Sequence, residues 1–505
     1  LTLSEGTVIL TIRDPDITTI GDMNLPPERV RLEAPFFECK TLLRVDLKGC
    51  TKLTQVGNAA FAGCSSLTSV VLPDSLTKLA KLAFSRCTSL TSVVLPDSLT
   101  QLGNGAFQEC TSLTSLVLPD SLTKLAKLAF SRCSSLTSVV FPDSFTELGE
   151  AAFQVCTSLT SVVLPDSLTQ IGEAAFVACS SLTSVVFPDS LTQIGNGAFQ
   201  NCTSLTSVVL PNSLTQLSMA TFNACASLTS VVLPNSLTQV GYGVFHECTS
   251  LTSVVLPDSL TQIGKQAFHT CSSLTSVVLP DSLTQIEDAA FGRCTSLTSV
   301  VLPDSLTQIC KSAFAVCTSL MSVVLPDSLT QLGDGAFVEC TALTSVVLPD
   351  SLAKICMGAF QDCTSLKSVV LPDSIMQVGD VAFARCNSLT SFALPACAKL
   401  GDYVFDKCDA LWQKAALAGF DSVEPYLRDR YKSITLRKLV LRLLGKYNKA
   451  VNYAYGTESE KHASALAQFP SDNFGSLEVG LFLQKMNISG GDGVIGLVGY
   501  ILKFL

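Results

Sequence analysis

Hydrophobic and polar positions follow one pattern over most of this chain, and the pattern returns every 23 residues. The unit is C-[ST]-S-L-T-S-V-V-L-P-D-S-L-T-Q-I-G-x-x-A-F-x-x, with fourteen copies from Cys64 to Arg385. A degenerate copy precedes them from Cys39, and a 22-residue copy from Cys386 closes at Cys408. A fixed period of this length predicts a solenoid, because one unit alone cannot bury its apolar face and stacked neighbours can.

The copy that begins at Cys156 shows which elements each unit contributes. Residues 161–164 (SVVL) predict a strand, because β-branched residues lie between polar ones and Pro165 ends the run. Alternation turns the second and fourth of these residues inward and leaves the first and third outward. After a Pro-Asp-Ser turn, a short extended piece and about one helical turn return these residues to the core: Leu168, Ile171, Ala175, Phe176 and Cys179.

Of the 21 cysteines, fifteen follow the same period and fall at a strict 23-residue interval from Cys64 to Cys386. Equivalent positions on stacked coils point their Cβ atoms in parallel, which is poor geometry for a disulfide. The spacing therefore predicts a row of reduced, buried thiols. Reduced thiols favour an intracellular location, in the cytosol or an organelle, with the cell surface as the alternative.

The repeat L-x-x-V-x-L-P-x-x-L-x-x-I-G-x-x-A-F-x-x-C resembles the BspA-like class of leucine-rich repeats, which is found in bacterial and protist proteins. The resemblance covers residues 39–408. It implies an α/β solenoid: a right-handed arc with a parallel sheet on its concave side and short helical turns on the other. It also implies recognition or attachment, since members of that class often serve as surface adhesins.

Composition changes at both ends of the repeats, which predicts three regions: an N-terminal β cap (1–38), the solenoid of about 16 coils (39–408), and a small basic α-helical C-terminal domain (409–505). The last region has 12 Lys and Arg against 9 Asp and Glu, within a chain of net charge −9. Apolar residues of segment 436–451 follow helical spacing. Its basic residues form a candidate docking helix: Arg437, Lys438, Arg442, Lys446 and Lys449.

A basic amphipathic helix of this kind can contact an anionic membrane or a partner in a larger assembly. The favoured alternative is a capping domain whose apolar face covers the last coil, because solenoids need their open ends covered.

The outward strand positions hardly vary between copies, with Ser in one column and Val in the other. A long, uncharged and partly apolar stripe favours an interaction site. The alternative is that Val is kept for strand propensity and the face stays bare. The central copies supply the candidate protein-binding residues of the concave face: Ser161, Val163, Ser184, Val186, Ser207, Val209, Ser230, Val232, Ser253 and Val255.

Variation between copies is concentrated in the Gly-x-x-Ala-Phe-x-x segment, as in residues 80–87 and 241–248. Recognition of a specific partner and neutral variation at solvated positions both fit this pattern. Asp after Pro recurs in twelve copies from Asp74 to Asp373. It favours turn formation, and a cation-binding ridge is the alternative.

His246 and His269 follow the Phe column one copy apart and are a weak candidate pair for a metal. They lack a third fixed ligand, so ordinary surface residues are the favoured interpretation and no metal or other cofactor is predicted. The sequence shows no nucleophile elbow, P-loop or zinc-protease helix, and no His is placed to activate a Ser. A chain of net charge −9 gives no case for nucleic acid binding.

The sequence therefore predicts a non-enzymatic scaffold for protein–protein interaction, as a subunit or peripheral component of a larger assembly. The alternatives are a cell-surface adhesin and a regular Ser/Thr array that binds a repetitive ligand such as a polysaccharide.

Overall fold

The structure is a computed structural model, and it describes residues 9–11, 19–20 and 36–430. These residues belong to two compact units, one ending at Leu260 and the other beginning at Thr261. Each unit is a stack of coils in which every coil adds one strand to each of two rows of parallel strands, the first sheet and the second sheet. The hydrogen-bonded ladder of each row is interrupted between some coils. The described repeats are a parallel-strand solenoid of about sixteen coils.

The first sheet is built from the Ser-Val-Val segment of each repeat, which confirms the strand predicted there. β-Branched residues suit the pleated backbone, and the proline two residues after the strand lacks the N–H needed to continue the ladder. In the first unit its strands are Ile9–Thr11, Arg44–Asp46, Ser69–Val71, Ser92–Val93, Ser115–Val117, Ser138–Val140, Ser161–Val163, Ser184–Val186, Ser207–Val209, Ser230–Val232 and Ser253–Val255. In the second unit they are Ser276–Val278, Ser299–Val301, Ser322–Val324, Ser345–Val347, Ser368–Val370 and Ser391–Ala393.

The second sheet is built from the Gln-Ile dipeptide and its variants, and its strands are two residues long. In the first unit they are Thr19–Ile20, Gln55–Val56, Lys78–Leu79, Gln101–Leu102, Lys124–Leu125, Glu147–Leu148, Gln170–Ile171, Gln193–Ile194, Gln216–Leu217 and Gln239–Val240. In the second unit they are Gln262–Ile263, Gln285–Ile286, Gln308–Ile309, Gln331–Leu332, Lys354–Ile355, Gln377–Val378 and Lys399–Leu400. From Gln55–Val56 to Gln377–Val378 the apolar residue of each pair is buried in the core and the first residue of the pair faces outward, whereas Leu400 in the last pair is only partly buried.

The N-terminal strands extend both sheets. Ile9–Thr11 lies in the region predicted as an N-terminal β cap and pairs in parallel with Arg44–Asp46. Thr19–Ile20 pairs in parallel with Gln55–Val56. The described part of the N-terminal region therefore continues the ladders of the solenoid.

The predicted short helical turns are not present in the repeats of residues 36–408, where this segment forms hydrogen-bonded turns instead. Between Gly149 and Cys156, alternate amides bond in different directions. The Gln154 N–H donates to the carbonyl of Ala151 in the same turn (3.2 Å), whereas the Val155 N–H donates to Val177 in the next coil (2.7 Å). Every second donor is therefore used between coils, which a continuous helix does not allow.

The same segment holds two non-helical residues per coil. Ala151 and Val155 have φ of 52° and 58°, in the left-handed region that ordinary side chains disfavour. Their N–H groups both donate to the following coil, Ala151 to the carbonyl of Glu173 at 2.8 Å. The bonds between coils therefore hold a backbone conformation that these residues do not prefer by themselves.

The core contains a continuous stack of phenylalanine rings in each unit. From Phe61 to Phe245, neighbouring ring centroids lie between 5.1 and 5.8 Å apart with nearly parallel planes. Within the second unit, the rings from Phe268 to Phe383 stack on one another in the same way. The rings of these columns are buried completely. The third position before each cysteine is therefore a core position, as the sequence predicts.

The row of cysteines is confirmed as buried, and none of its members forms a disulfide in the structure. The thiols from Cys87 to Cys248 and from Cys294 to Cys386 donate to the carbonyl of the Phe 26 residues earlier, for example Cys156 to Phe130 at 3.3 Å and Cys179 to Phe153 at 3.2 Å. Burial raises the pKa of the Cys179 thiol to about 12. The thiols are therefore neutral donors that join adjacent coils inside the core.

Two helices cover the last coil in the described part of the C-terminal region: α1 (Asp409–Leu417) and α2 (Val423–Arg430). Leu411, Ala415 and Leu427 are their buried contacts. The Trp412 indole N–H donates to the carbonyl of Phe405 at 3.1 Å. No helix in the described residues is long and apolar enough to cross a membrane.

The Arg428 side chain binds the turn that follows the last strand of the first sheet. Its guanidinium donates to the carbonyls of Ala396 and Ala398 at 3.0 Å and to that of Pro395 at 3.4 Å. It also forms an ion pair of 2.6 Å with Glu424, one turn earlier on α2. Backbone carbonyls of the last coil, which have no following coil to bond to, thus accept hydrogen bonds from the helical cap.

Candidate functional site

Each central strand of the first sheet turns one residue into the core and two residues to the outside. In Ser161–Val163 the middle residue, Val162, is 1% exposed, whereas Val163 is 68% exposed. The period of two along a strand produces this division, and Leu164 continues it into the core. An exposed valine is ordinary by itself, so its significance depends on what lies beside it.

Parallel pairing without a register shift places identical residues side by side. Ser161 pairs with Ser184 and Val163 with Val186. The same register joins Ser207 to Ser230 and Val232 to Val255. All ten candidate residues from Ser161 to Val255 are exposed, and all lie in the first unit. The structure therefore arranges the predicted residues as two columns on one face.

A third exposed column, which the sequence analysis did not single out, lies beside them. It consists of the threonine before each serine, and its hydroxyl groups join the coils. The Thr183 hydroxyl donates to the carbonyl of Thr160 at 3.0 Å, and the Thr229 hydroxyl donates to that of Thr206 at 3.0 Å. The same 23-residue recurrence that revealed the serine column was the signal for this one.

The three columns together define the Thr/Ser/Val face, which we take from Thr91 to Val255 in the first unit. It spans eight coils, and none of its positions carries a charged side chain. The exposed fraction of its valines lies between 55% at Val140 and 82% at Val255. The face is therefore an uncharged strip with a regular apolar edge, which exceeds the scattered exposed residues usual on a monomer surface.

The aspartates that follow the proline of each repeat lie beyond the valine edge and are exposed, as at Asp166 and Asp189. The residue that joins the coils at this turn is the serine after the aspartate. The Ser167 hydroxyl donates to the carbonyl of Phe145 at 2.6 Å, and Ser190 to Leu168 at 2.6 Å. The aspartate column is therefore a negatively charged border of the face. The serine after each aspartate, rather than the aspartate itself, bonds the turn to the preceding coil.

The variable segment uses several of its side chains for contacts between adjacent coils. Ion pairs join Lys127 to Glu150 at 2.5 Å and Arg86 to Glu109 at 3.3 Å. In the second unit the Arg385 guanidinium lies 3.3 Å from Asp362. These pairs are on the surface, where each contributes little to stability. Part of the variation between copies thus reflects pairing within the solenoid.

The two candidate histidines each make a local contact. The Asn223 amide nitrogen lies 2.8 Å from His246 Nδ1, and Glu247 lies 4.0 Å from Nε2. The Thr270 hydroxyl lies 2.9 Å from His269 Nδ1. In the described ranges, no three His, Cys, Asp or Glu residues are grouped so that they could hold a metal ion.

The candidate docking helix lies outside the described residues, and so do its residues Arg437, Lys438, Arg442, Lys446 and Lys449. The prediction that this segment contacts a membrane or an assembly partner stays a prediction. The described start of the C-terminal region forms the cap of the last coil through α1 and α2.

A family model for the BspA-type leucine-rich repeat region matches residues 31–160, 169–298 and 284–412. The chain belongs to this family. The match spans the solenoid of the BspA-type chain almost entirely, which confirms the resemblance that the 23-residue repeat indicates. Comparison with curated protein sequences gave no match.

Solved structures show the same kind of repeat. A leucine-rich repeat protein from Bacteroides ovatus is 29% identical over 74% of this BspA-type chain and 92% of its own, with a TM-score of 0.58. A leucine-rich cell surface protein from Faecalibacterium prausnitzii is 28% identical over 59% of this chain and 86% of its own, with a TM-score of 0.39. The first of these supports the leucine-rich-repeat solenoid as the fold.

Proposed function

We propose that this BspA-type protein is a non-enzymatic scaffold that binds a protein partner through the Thr/Ser/Val face of its first unit. The observation that carries the proposal is the exposure of one valine per coil, from Val94 to Val255, on a face without charge. Burying such side chains releases about 1–2 kcal/mol each at this degree of exposure. Eight of them supply enough to offset the entropy lost on association, which is on the order of 4–15 kcal/mol.

The rigidity of the face favours binding further. Hydroxyl and amide bonds between coils, such as Thr183 to Thr160, hold the strands in place before a partner arrives. A surface that is already ordered loses little conformational entropy on binding. The polar border of aspartates gives the apolar strip the polar rim that is usual for protein interfaces.

The variable segment supplies differences between coils that the face lacks. Met219 and Tyr242 occupy the same repeat position in consecutive coils, and both are 49% exposed. We propose that such differing side chains beside the face distinguish one stretch of the solenoid from another. A partner that contacts both regions would bind at one place along the face.

The experiment is a charge insertion on the face. Wild type and the triple variant Val186→Glu, Val209→Glu, Val232→Glu are immobilised, and proteins bound from native material are identified by mass spectrometry. The glutamates meet water in the free protein but must be desolvated in a complex, so binding should be lost while the fold is kept.

A matched control places three negative charges on the second sheet, as Gln170→Glu, Gln193→Glu and Gln216→Glu. This control should keep every partner that the wild type binds. Retention of the same partners by the valine variant, with an unchanged circular dichroism spectrum, would refute the proposal that the Thr/Ser/Val face is the binding surface.

The uniformity of the columns favours one second candidate, a regular array that binds a repetitive ligand such as a polysaccharide. Removal of whole 23-residue units separates the two functions. An array should lose affinity gradually as coils are removed, because each coil offers the same contact. A scaffold for a specific protein should lose binding abruptly with one coil, which is the result that we expect.

We also propose a reducing, intracellular compartment, with the cell surface as the alternative. The support is the row of buried free thiols, which would be exposed to oxidation whenever the chain unfolded outside the cell. Fractionation of the native source, followed by detection of the chain with an antibody, tests this location.

A further inference from the structure

Four consecutive strand surfaces in the second unit are less exposed than the strand surfaces between Ser92 and Val255 in the first, although the residues are the same; Ser276–Val278 stays exposed. The outward Ser and Val of Ser299–Val301, Ser322–Val324, Ser345–Val347 and Ser368–Val370 are only partly exposed. In the first unit, Val163 and Val255 at the same repeat position are 68% and 82% exposed. We name these four strand surfaces the covered stretch.

Two substitutions distinguish the same stretch. The threonine column is unbroken from Thr91 to Thr252, but in the second unit Met321 and Lys367 interrupt it. Met321 is partly buried, unlike Met219, Met357 and Met376, which are all exposed. A flexible thioether adapts to irregular apolar contacts, so Met321 extends the apolar part of this surface.

The chain leaves the solenoid beside the covered stretch. Helix α2 packs against the strand Ser391–Ala393, which is the next strand of the same sheet. Arg428 fastens the helix there through the carbonyls that follow this strand. The segment 436–451 begins six residues after Arg430, and six extended residues reach about 20 Å. It can therefore return along the face of its own sheet.

The segment matches the covered stretch in length and in charge. Sixteen residues make a helix about 24 Å long. The four strands of the covered stretch, together with the next strand Ser391–Ala393, span roughly 19 Å at intervals of about 4.8 Å. The segment contains five Lys and Arg and no Asp or Glu. Three residues after each valine of the covered stretch comes an exposed aspartate of the border: Asp304, Asp327, Asp350 and Asp373.

We propose that segment 436–451 is an amphipathic helix that packs on the covered stretch of its own chain. Its apolar residues lie on the valines and Met321, and its basic residues lie beside the aspartate border, where opposite charges attract. The C-terminal segment is then an internal partner of the second unit, and the face left for an external partner is that of the first unit. This inference does not depend on the identity of any external partner.

The first test is coupling of lysine to aspartate on the full chain with a carbodiimide, which joins Nζ to a carboxylate with loss of water. A mixture of ¹⁵N-labelled and unlabelled chains identifies which chain each partner comes from. We expect links within one chain, from Lys438, Lys446 or Lys449 to the aspartates between Asp304 and Asp373. Links only between labelled and unlabelled chains would assign the surface to a second copy, and absence of these links would also overturn the proposal.

The second test is oxidative footprinting of methionine on the full chain. Met321 should oxidise several-fold more slowly than Met219, Met357 and Met376. Reversal of charge in Arg437→Glu, Lys438→Glu, Arg442→Glu should raise the rate at Met321 several-fold and leave the other three unchanged.

The matched control reverses three lysines elsewhere in the C-terminal region, as Lys461→Glu, Lys485→Glu and Lys503→Glu, and should leave Met321 slow. An unchanged Met321 rate in the first variant would mean that neighbouring side chains alone shield it, and the proposal would be wrong.

Discussion

Replacement of Phe176 by alanine is the most direct test of how the coils are held together. The ring is completely buried and stacks on Phe153 at 5.6 Å and on Phe199 at 5.2 Å. Phe→Ala in a core costs about 3–5 kcal/mol, and each aromatic stack adds about 0.5–1.5 kcal/mol beyond area burial. With neighbours on both sides, we expect the upper part of this range, about 4–5 kcal/mol.

The loss should be local, because each coil contacts only its neighbours. A single free energy of unfolding is poorly defined for a long repeat array, so the measurement is hydrogen exchange resolved along the chain. The amide of Phe176, which donates to the carbonyl of Ala198 at 2.8 Å, should lose protection together with its neighbours. Coils several repeats away should exchange as in the wild type.

The control is Val163→Ala, because this side chain is exposed and its truncation should change the opening free energy by less than about 0.5 kcal/mol. If Phe176→Ala changed local protection no more than Val163→Ala does, the assignment of the Phe stack as the core would be wrong. Equal loss of protection along the whole chain would instead refute the local, coil-by-coil account of stability.

Three further predictions concern the bonds between coils. Burial raises the pKa of the Cys179 thiol from 9.0 to about 12. The contribution of this thiol to stability should therefore be fully present below pH 9 and be lost as the pH rises towards 12, which urea titration at a series of pH values measures. Thiol counting should find the row of cysteines unreactive in the folded protein and reactive after denaturation. Ser167→Ala removes the 2.6 Å bond between coils and should cost about 1 kcal/mol in local exchange, whereas Ser161→Ala on the open face should be nearly neutral. Arg428→Ala leaves carbonyls of the last coil without their charged donor and should cost about 1.5–3 kcal/mol near the C-terminal cap, whereas Arg86→Ala, which breaks an exposed ion pair, should cost less than about 1 kcal/mol.

The repeat pattern alone was sufficient to predict the solenoid, its core columns and its free thiols. Every copy carries the same apolar positions, so one arrangement satisfies all of them, and the burial of Val162, Phe176 and Cys179 follows. The two exposed columns of the face were predictable for the same reason, because alternation along a strand fixes which residue points outward.

The segment before each cysteine could not be predicted in the same way. Ala, Phe and their neighbours suit a helical turn, but the amides of Ala151 and Val155 donate to the next coil and hold φ at 52° and 58°. Local propensity describes bonds within one segment, whereas these bonds exist only when a second coil lies alongside. The tertiary structure therefore decided this conformation.

The sequence by itself determined the number and spacing of coils, the columns that enter the core and the absence of charge on the Thr/Ser/Val face. Only the tertiary structure decided which copies of the outward Ser and Val columns are exposed, because Val163 and Val301 occupy the same repeat position and differ in exposure. The repeat is local information, whereas the exposure of each copy depends on its surroundings in the folded protein.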